Sequence, residues 1–318
     1  MATVCGVLPL WLRRGGPTPW RQPCACSRSM FGFTPTPRRL GTRRSWPFFS
    51  AQEPELDVIC LQEVTPAYLA ALTAAGAPHA AWLAGYRLCA PDFAGTGYGT
   101  AMLVRASLAP SFARRALPSD MQRDLLLARL ESPALGQVCV ACVHLESKAS
   151  ATLRGQQLAA VREALGAEGV EAPAIVAGDF NFCSFWSHED MQARRAPVGE
   201  PEENAALLRL FPEFEDAFPA MHGATTLASP QGFTFNTEVN KSVASPPRYE
   251  VQRCDRVLAR LPPAFALVRC EVMGTAPADG LFLSDHFPLL AEWRVAGARG
   301  ASSGSPLAPA LPAAHGPA

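Results

Sequence analysis

The sequence predicts an α/β fold in which β-sheets are covered by helices on their outer faces. Short apolar runs rich in β-branched residues recur along the chain, separated by a few helical patterns and by Gly/Pro-rich loops. Three of these runs also deliver an acidic or imidazole group at one end, at Glu63, Asp179 and His286. Catalytic groups are commonly held where a rigid sheet meets its loops, so this pattern predicts one polar site at a sheet edge.

The predicted elements follow from the apolar periodicity. Helical patterns cover Pro66–Ala75 and Ala151–Leu165. Two loops, near 184–203 and 234–247, are longer than ordinary connections and are expected to contribute to binding. Strands are predicted at Val58–Leu61, Thr100–Val104, Leu125–Leu130, Val138–Val143, Ala174–Ala177, Cys254–Leu258, Leu267–Val272 and Leu289–Val295.

The chain is expected to contain one domain, residues 53–296, between two atypical ends. Residues 1–52 contain eight arginines and no lysine, aspartate or glutamate. Such an arginine-rich, acid-free segment resembles a mitochondrial transit peptide. Its prolines disfavour the amphipathic helix of such peptides, so a disordered or non-native leader is at least as good an interpretation. Residues 297–318, mostly Ala, Gly, Ser and Pro, are predicted to be a disordered tail.

The charge distribution limits the class of function. The chain has 28 basic and 28 acidic residues, but outside the leader there are 20 basic and 28 acidic ones. An acidic body disfavours broad, charge-driven nucleic-acid binding and is compatible with a small metal site that handles one phosphate. No apolar run approaches the ~20 residues that span a bilayer, so no stable membrane insertion is expected. The ten cysteines fit reduced thiols in the nucleus or cytoplasm, with the mitochondrion as an alternative if the leader directs import.

Three of the polar residues, Glu63, Asp179 and Asn181, are suited to activate water beside a metal ion. Glu63 offers the hard oxygen ligand that Mg²⁺ prefers. Asp179 and Asn181 follow a buried strand at a spacing of two, so both side chains can face one site. The carboxylate can accept a proton from water while the carboxamide positions it. Gly178 permits a sharp bend directly before them.

His286 is the candidate for binding or protonating a phosphate oxygen. An imidazole in that role needs a partner that fixes its tautomer and keeps it charged. Asp285 and Asp255 are the two candidate partners, and Asp255 is favoured because an adjacent residue in a strand points the other way. His144, at the end of another predicted strand, supplies a second imidazole.

Each motif taken alone has an ordinary structural explanation. Gly-Asp-x-Asn is usually a turn, Ser-Asp-His can be a helix cap, and a strand-end histidine such as His144 is usually only hydrogen bonded. Their common position at strand ends favours a functional site over these separate explanations.

The ordered set LQEV, HLES, GDFN, RCDRV and SDHFPL resembles the endonuclease/exonuclease/phosphatase superfamily over residues 53–296. The resemblance implies a four-layer α/β sandwich, with two mixed β-sheets flanked by helices, and metal-dependent hydrolysis of a phosphate ester. The likeness is greatest to the branch that removes tyrosine from DNA 5′-phosphates, which implies a DNA end or protein–DNA adduct as substrate. Other branches imply a lipid, inositol phosphate or RNA substrate.

The resemblance also implies a role for each candidate residue. Glu63 would hold Mg²⁺, with Mn²⁺ as an alternative ion, and Asp285 would belong to the metal network. The catalytic set would be Asp179 as activator of water, Asn181 and His144 as phosphate ligands, and His286 oriented by Asp255 as stabiliser of the transition state. Phe235, as a stacking surface, Arg123 and Ser147 would contact the substrate.

One departure from the superfamily pattern concerns the first strand, which ordinarily ends in an asparagine of the metal site. No asparagine precedes Asn181 in this sequence. The leader is therefore expected to replace the first strand, its asparagine and most of the first helix. A missing central strand would leave an unpaired sheet edge and weaken metal binding. A truncated, catalytically weak binding protein is the corresponding alternative.

Overall fold

Two six-stranded β-sheets pack face to face and have helices on their outer faces, as the sequence predicts. The computed structural model describes residues 7–8, 55–93, 97–169, 172–197, 199–241, 249–277, 280 and 282–296. The predicted disordered tail, and all of the predicted leader except Val7–Leu8, lie outside these residues. Among the helices described, none is long and apolar enough to cross a membrane.

The element bounds are as follows. The helices are α1 (Pro66–Leu72), α2 (Ala80–Leu83), α3 (Ala151–Gly166), α4 (His188–Ala193), α5 (Glu202–Leu210) and α6 (Ala217–His222). The strands are β1 (Val7–Leu8), β2 (Val58–Val64), β3 (Tyr86–Cys89), β4 (Gly99–Arg105), β5 (Ser111–Ala116), β6 (Asp124–Ser132), β7 (Gly136–His144), β8 (Ala174–Asp179), β9 (Glu215–Asp216), β10 (Phe235–Asn236), β11 (Val251–Gln252), β12 (Asp255–Arg260), β13 (Phe265–Val272) and β14 (Leu289–Val295).

One sheet has the strand order β5-β6-β7-β8-β12-β9 and is mixed, because β7 and β8 are parallel and the other pairs antiparallel. Successive side chains in a strand point to opposite faces. Cys142 accordingly packs in the core between the sheets, whereas Cys139 packs under α3. All seven cysteines in the described residues are free thiols. The alternation therefore rules out a shared metal site for this Cys-x-x-Cys pair.

The other sheet has the order β13-β14-β1-β2-β4-β3. Its outer face is covered by α1, whose Tyr68 and Leu72 pack with β2. Thr65 caps this helix by accepting a hydrogen bond from the Tyr68 backbone N–H, and Pro66 occupies the first helical position, where a missing N–H costs nothing. The helix ends at Leu72 instead of Ala75, with Thr73 as its C-cap, whose backbone N–H and hydroxyl both donate to the Leu69 carbonyl.

β1 occupies the position where the first strand was expected to be missing. Val7 and Leu8 pair antiparallel with β2, and Val7 also pairs parallel with Leu290 of β14, so this segment lies between the two strands. The structure therefore differs from the expectation that the first strand is missing. The physical reason is that unpaired N–H and C=O groups in the middle of a sheet are costly, and a short paired segment satisfies some of them. The asparagine expected on the first strand has no counterpart in this segment.

Candidate active site

Strand ends from both sheets meet at one edge. In the sheet that contains β7, β8 and β12, His144 at the end of β7 is in register with Asp179 at the end of β8, and Asp179 is in register with Asp255 at the start of β12. His286 reaches this row through a bridge to Phe235 in β10. The sheet register therefore brings three of the predicted catalytic groups together, and the bridge adds His286 as the fourth.

Gly178 allows β8 to end in this position. Its φ of +141° is a conformation that residues with a side chain rarely adopt, and a Cβ there would lie 2.0 Å from the Val143 carbonyl oxygen. β7 and β8 therefore approach more closely here than any larger residue permits. Gly178 is paired within β8 with Val143 and Arg256, so the close approach of the strands, and not the bend predicted from the sequence, requires glycine here.

His286 and Asp255 form a buried pair. Nδ1 of His286 lies 2.8 Å from Oδ2 of Asp255, whose side chain is fully buried. Burial alone would lower the pKa of His286, but the Asp255 carboxylate raises it well above its ordinary value. The expected contact between these residues is thus present, and it holds the imidazole charged with its Nδ1–H donated to Asp255.

Asp179 is a carboxyl group with an elevated proton affinity. Burial raises its pKa to about 7, and the neighbouring Asp255 charge acts in the same direction. The backbone N–H of Asn181 donates to Oδ1 of Asp179 at 2.7 Å, and Asn181 has a φ of +56°. The Asn181 amide also donates to the Leu145 carbonyl at 2.9 Å. Asp179 is therefore fixed in place and suited to exchange a proton near neutral pH.

His144 is a neutral imidazole. Nη1 of Arg123 donates to Nδ1 of His144 at 2.9 Å, which leaves the proton on Nε2, 3.5 Å from Oδ2 of Asp179. Burial lowers the pKa of His144 well below its ordinary value, and the charges of Arg123 and His286 reinforce this. Arg123, predicted to contact substrate, is 7% exposed and lines a small pocket together with His144. It positions the imidazole and also contacts the Tyr98 ring and the Met121 sulfur.

Glu63 and Asp285 lie beside this row. A register break in the pairing of β2 with β4 falls between Leu61 and Val64, and Glu63 there has a φ of +53°. Burial raises the pKa of Glu63, and the charge of Asp285 raises it further. Two carboxylates that repel each other at a partly buried edge are a hard-oxygen donor set, so these residues fit a Mg²⁺ ion.

The site opens into a cleft of about 950 Å³. Ser147 and Phe235, both predicted to contact substrate, line it together with His286. The Phe235 ring is 9% exposed, and its centroid lies 5.0 Å from that of His286 at an interplanar angle of 59°. Both long loops contribute to the wall, with Ser187 and His188 from the first and Phe235 from the second.

The sequence did not predict a hydrogen-bond network centred on Glu146, which positions neighbouring groups. The carboxylate of Glu146 accepts hydrogen bonds from the Ser119 hydroxyl at 2.6 Å and from the amide of Gln157 at 3.2 Å. The Ser119 oxygen in turn accepts from the backbone N–H of Arg123 at 2.9 Å. Glu146 is 1% exposed. Its only sequence signal was an acidic residue two positions after His144, and the network indicates that it fixes the loop that carries Arg123.

Comparison with known proteins identifies the class. The model of the Endonuclease/Exonuclease/phosphatase family matches residues 11–286. The chain therefore belongs to this family, whose members are hydrolases of phosphoester bonds and typically depend on a divalent metal ion. The superfamily and the sandwich architecture predicted from the motifs are both confirmed.

Solved structures show the same fold. TDP2 (tyrosyl-DNA phosphodiesterase 2) from D. rerio, complexed with a single-strand DNA product, is 23% identical, with 77% of this chain and 88% of that chain covered and a TM-score of 0.55. TDP2 from C. elegans is 20% identical, with coverages of 77% and 67% and a TM-score of 0.55. An endonuclease/exonuclease/phosphatase from Bacteroides vulgatus is 16% identical, with coverages of 80% and 90% and a TM-score of 0.56. No curated protein is significantly similar to the chain.

Proposed function

We propose that the protein is a Mg²⁺-dependent phosphodiesterase that hydrolyses 5′-phosphotyrosyl or similar DNA ends in DNA repair, acting in the nucleus and cytoplasm. The observation that supports it is the row of His144, Asp179 and Asp255 with His286 across it, beside the carboxylates of Glu63 and Asp285. The likeness to a TDP2 structure that contains single-strand DNA product supports the choice of a DNA end.

In the proposed mechanism Asp179 accepts a proton from the attacking water. Its raised pKa suits this transfer near neutral pH. Asn181 and the Nε2–H of His144 hydrogen bond to the phosphate, and the charged His286, held by Asp255, stabilises the negative charge that develops on it. A Mg²⁺ ion bound by Glu63, with Asp285 in its network, would supply further charge neutralisation.

The test is release of tyrosine from a 5′-phosphotyrosyl oligonucleotide in the presence of Mg²⁺, with Mn²⁺ as a second ion. Asp179→Asn is expected to reduce the rate at least ~100-fold, the usual contribution of a general base. Glu163→Gln, which changes an exposed carboxylate on α3, is the matched control and should retain the wild-type rate. Equal turnover by wild type and Asp179→Asn would refute the mechanism.

The same chemistry on another phosphate ester, in a lipid, an inositol phosphate or RNA, is the second candidate. The family of this chain includes phosphatases as well as nucleases, and its acidic body does not select among phosphate esters. Rates on a sphingolipid, an inositol phosphate and an oligoadenylate should therefore be measured beside the DNA substrate. A higher kcat/KM for any of these three would replace the DNA-end assignment and leave the catalytic residues unchanged.

A catalytically weak binding protein is the third candidate, because the family's first-strand asparagine has no counterpart here. Calorimetric titration with Mg²⁺ distinguishes it from an enzyme. Metal binding together with cooperative thermal unfolding supports the enzyme, whereas a folded protein that binds single-stranded DNA without metal and without turnover supports the binding protein.

A further inference from the structure

Cys254 lies in contact with the catalytic pair. Its Sγ is 3.8 Å from Nδ1 of His286 and 3.6 Å from Oδ2 of Asp255. Together with Asp179, one donor atom from each of these four residues lies within 4.8 Å of every other. The proposed mechanism uses the imidazole and the carboxylates, but it gives the thiol no role.

These four donors differ in kind from the pair expected to hold Mg²⁺. Glu63 and Asp285 present oxygen only, whereas the second group adds a sulfur and an imidazole nitrogen. Thiolate and imidazole ligands select Zn²⁺ and similar ions over Mg²⁺. The chemistry of Cys254 and His286 therefore favours a different ion from the one that supports catalysis.

Three of the distances in this group are close to those around a small tetrahedral ion. Zn²⁺ bonds of about 2.0–2.3 Å imply ligand separations of roughly 3.3–3.6 Å. The two distances from Cys254 are close to this range, and the 2.8 Å contact of His286 with Asp255 would open by about half an ångström. The ion would take the position of the proton that now lies between Nδ1 of His286 and Oδ2 of Asp255.

The group lies at the wall of the cleft, although Asp179, Cys254 and Asp255 are themselves buried. Cys254 and His286 both line the cleft, and the His286 side chain is 13% exposed. An ion can therefore reach the sulfur without unfolding of the sheet, which is a requirement for a metal site on a folded protein.

We propose that Cys254, His286 and Asp255, with Asp179, form an inhibitory site for a thiophilic divalent cation such as Zn²⁺. Binding forms bonds from the metal to Sγ of Cys254 and Nδ1 of His286 and releases one proton from each to water. The His286–Asp255 hydrogen bond is thereby replaced, and His286 can no longer act as the charged group. The inhibitory effect rests on the proposed function, but the binding does not.

Cobalt(II) provides a test independent of activity, because a cobalt–thiolate bond gives a charge-transfer band in the near ultraviolet. The band is expected on titration of wild type with Co²⁺ and is expected to disappear in Cys254→Ser. Cys183→Ser is the matched control, since Cys183 is a buried thiol that lines the same cleft; it should retain the band. No band in wild type, or an undiminished band in Cys254→Ser, overturns the proposal.

If serine at this position prevents folding, Cys254→Ala replaces it and the same two outcomes decide. In the activity assay at saturating Mg²⁺, Cys254→Ser should require at least tenfold more Zn²⁺ than wild type for half inhibition, each measured against its own uninhibited rate. A cobalt band without any phosphodiester hydrolysis would refute the proposed function and leave the metal site supported. Hydrolysis without the band would do the reverse.

Discussion

Replacement of Gly178 by alanine tests whether the close approach of β7 and β8 is needed for both the fold and the site. The added Cβ would lie 2.0 Å from the Val143 carbonyl oxygen and 3.0 Å from the Gln62 amide nitrogen, at a φ of +141°. Neither neighbour is a flexible side-chain end, because one is backbone and the other is a fully buried amide. The steric overlap can therefore be relieved only if β8 moves relative to β7.

The expected destabilisation follows from two contributions. An alanine held at a sparsely populated backbone conformation costs about 1–3 kcal/mol. Overpacking of a filled interior costs about 1–3 kcal/mol more. The sum, about 2–6 kcal/mol, is a large part of the ~5–15 kcal/mol by which folded proteins are stable. Because Asp179 follows directly, movement of β8 should also lower kcat.

Urea unfolding followed by tryptophan fluorescence measures this change in the free energy of unfolding. Gly155→Ala is the matched control, since a Cβ on Gly155 in α3 meets nothing within 4 Å. It should stabilise the protein by up to ~1 kcal/mol through higher helix propensity. A Gly178→Ala variant within about 0.5 kcal/mol of wild type would refute the reasoning.

Asp255→Asn is expected to lower kcat at least ~100-fold with little change in KM, because His286 loses the carboxylate that keeps it charged; steady-state kinetics decide, and an unchanged kcat would contradict this. Arg253→Met should lower the free energy of unfolding by about 3–5 kcal/mol, since it leaves Asp216 without its bidentate partner in the interior. Adding Asp216→Leu to that variant should recover part of the loss in the same urea assay. Burial raises the pKa of Asp179 to about 7, and the protonated carboxyl cannot accept a proton. The value of kcat/KM should therefore fall tenfold per pH unit below pH 7. A flat pH profile from pH 5 to 8 would exclude Asp179 as the base.

The motifs identified residues that the structure brings together because most of them adjoin the end of a buried strand. A run such as Ala174–Ala177 fixes the strand, and sheet register then determines where Asp179 falls relative to His144. All eight predicted strands are present. Local sequence patterns are sufficient to predict a strand wherever both of its faces are buried, since the apolar run is then continuous.

The remaining features depend on contacts that local sequence does not encode. β5 contains two arginines and lies at a sheet edge, so its pattern is not that of a buried strand. Glu146 and Ser119 are 27 residues apart, and although Glu146 lies in HLES, nothing in that motif indicates Ser119 as its partner. The pairing of Val7–Leu8 with β2 and β14 was missed because the surrounding composition indicates a leader, whereas a sheet with an open position favours any segment able to pair.

The positions of Glu63 and Asp285 have a consequence for stability. Glu63 lies in β2 and Asp285 lies shortly before β14, and these two strands are not paired with each other because β1 lies between them. A cation bound by both carboxylates would link the two segments across β1. Mg²⁺ at 100 times its dissociation constant should then add about 2.7 kcal/mol to the free energy of unfolding, and Glu63→Gln should lose most of that increment in a thermal melt. The ion proposed for catalysis would then also stabilise the folded protein.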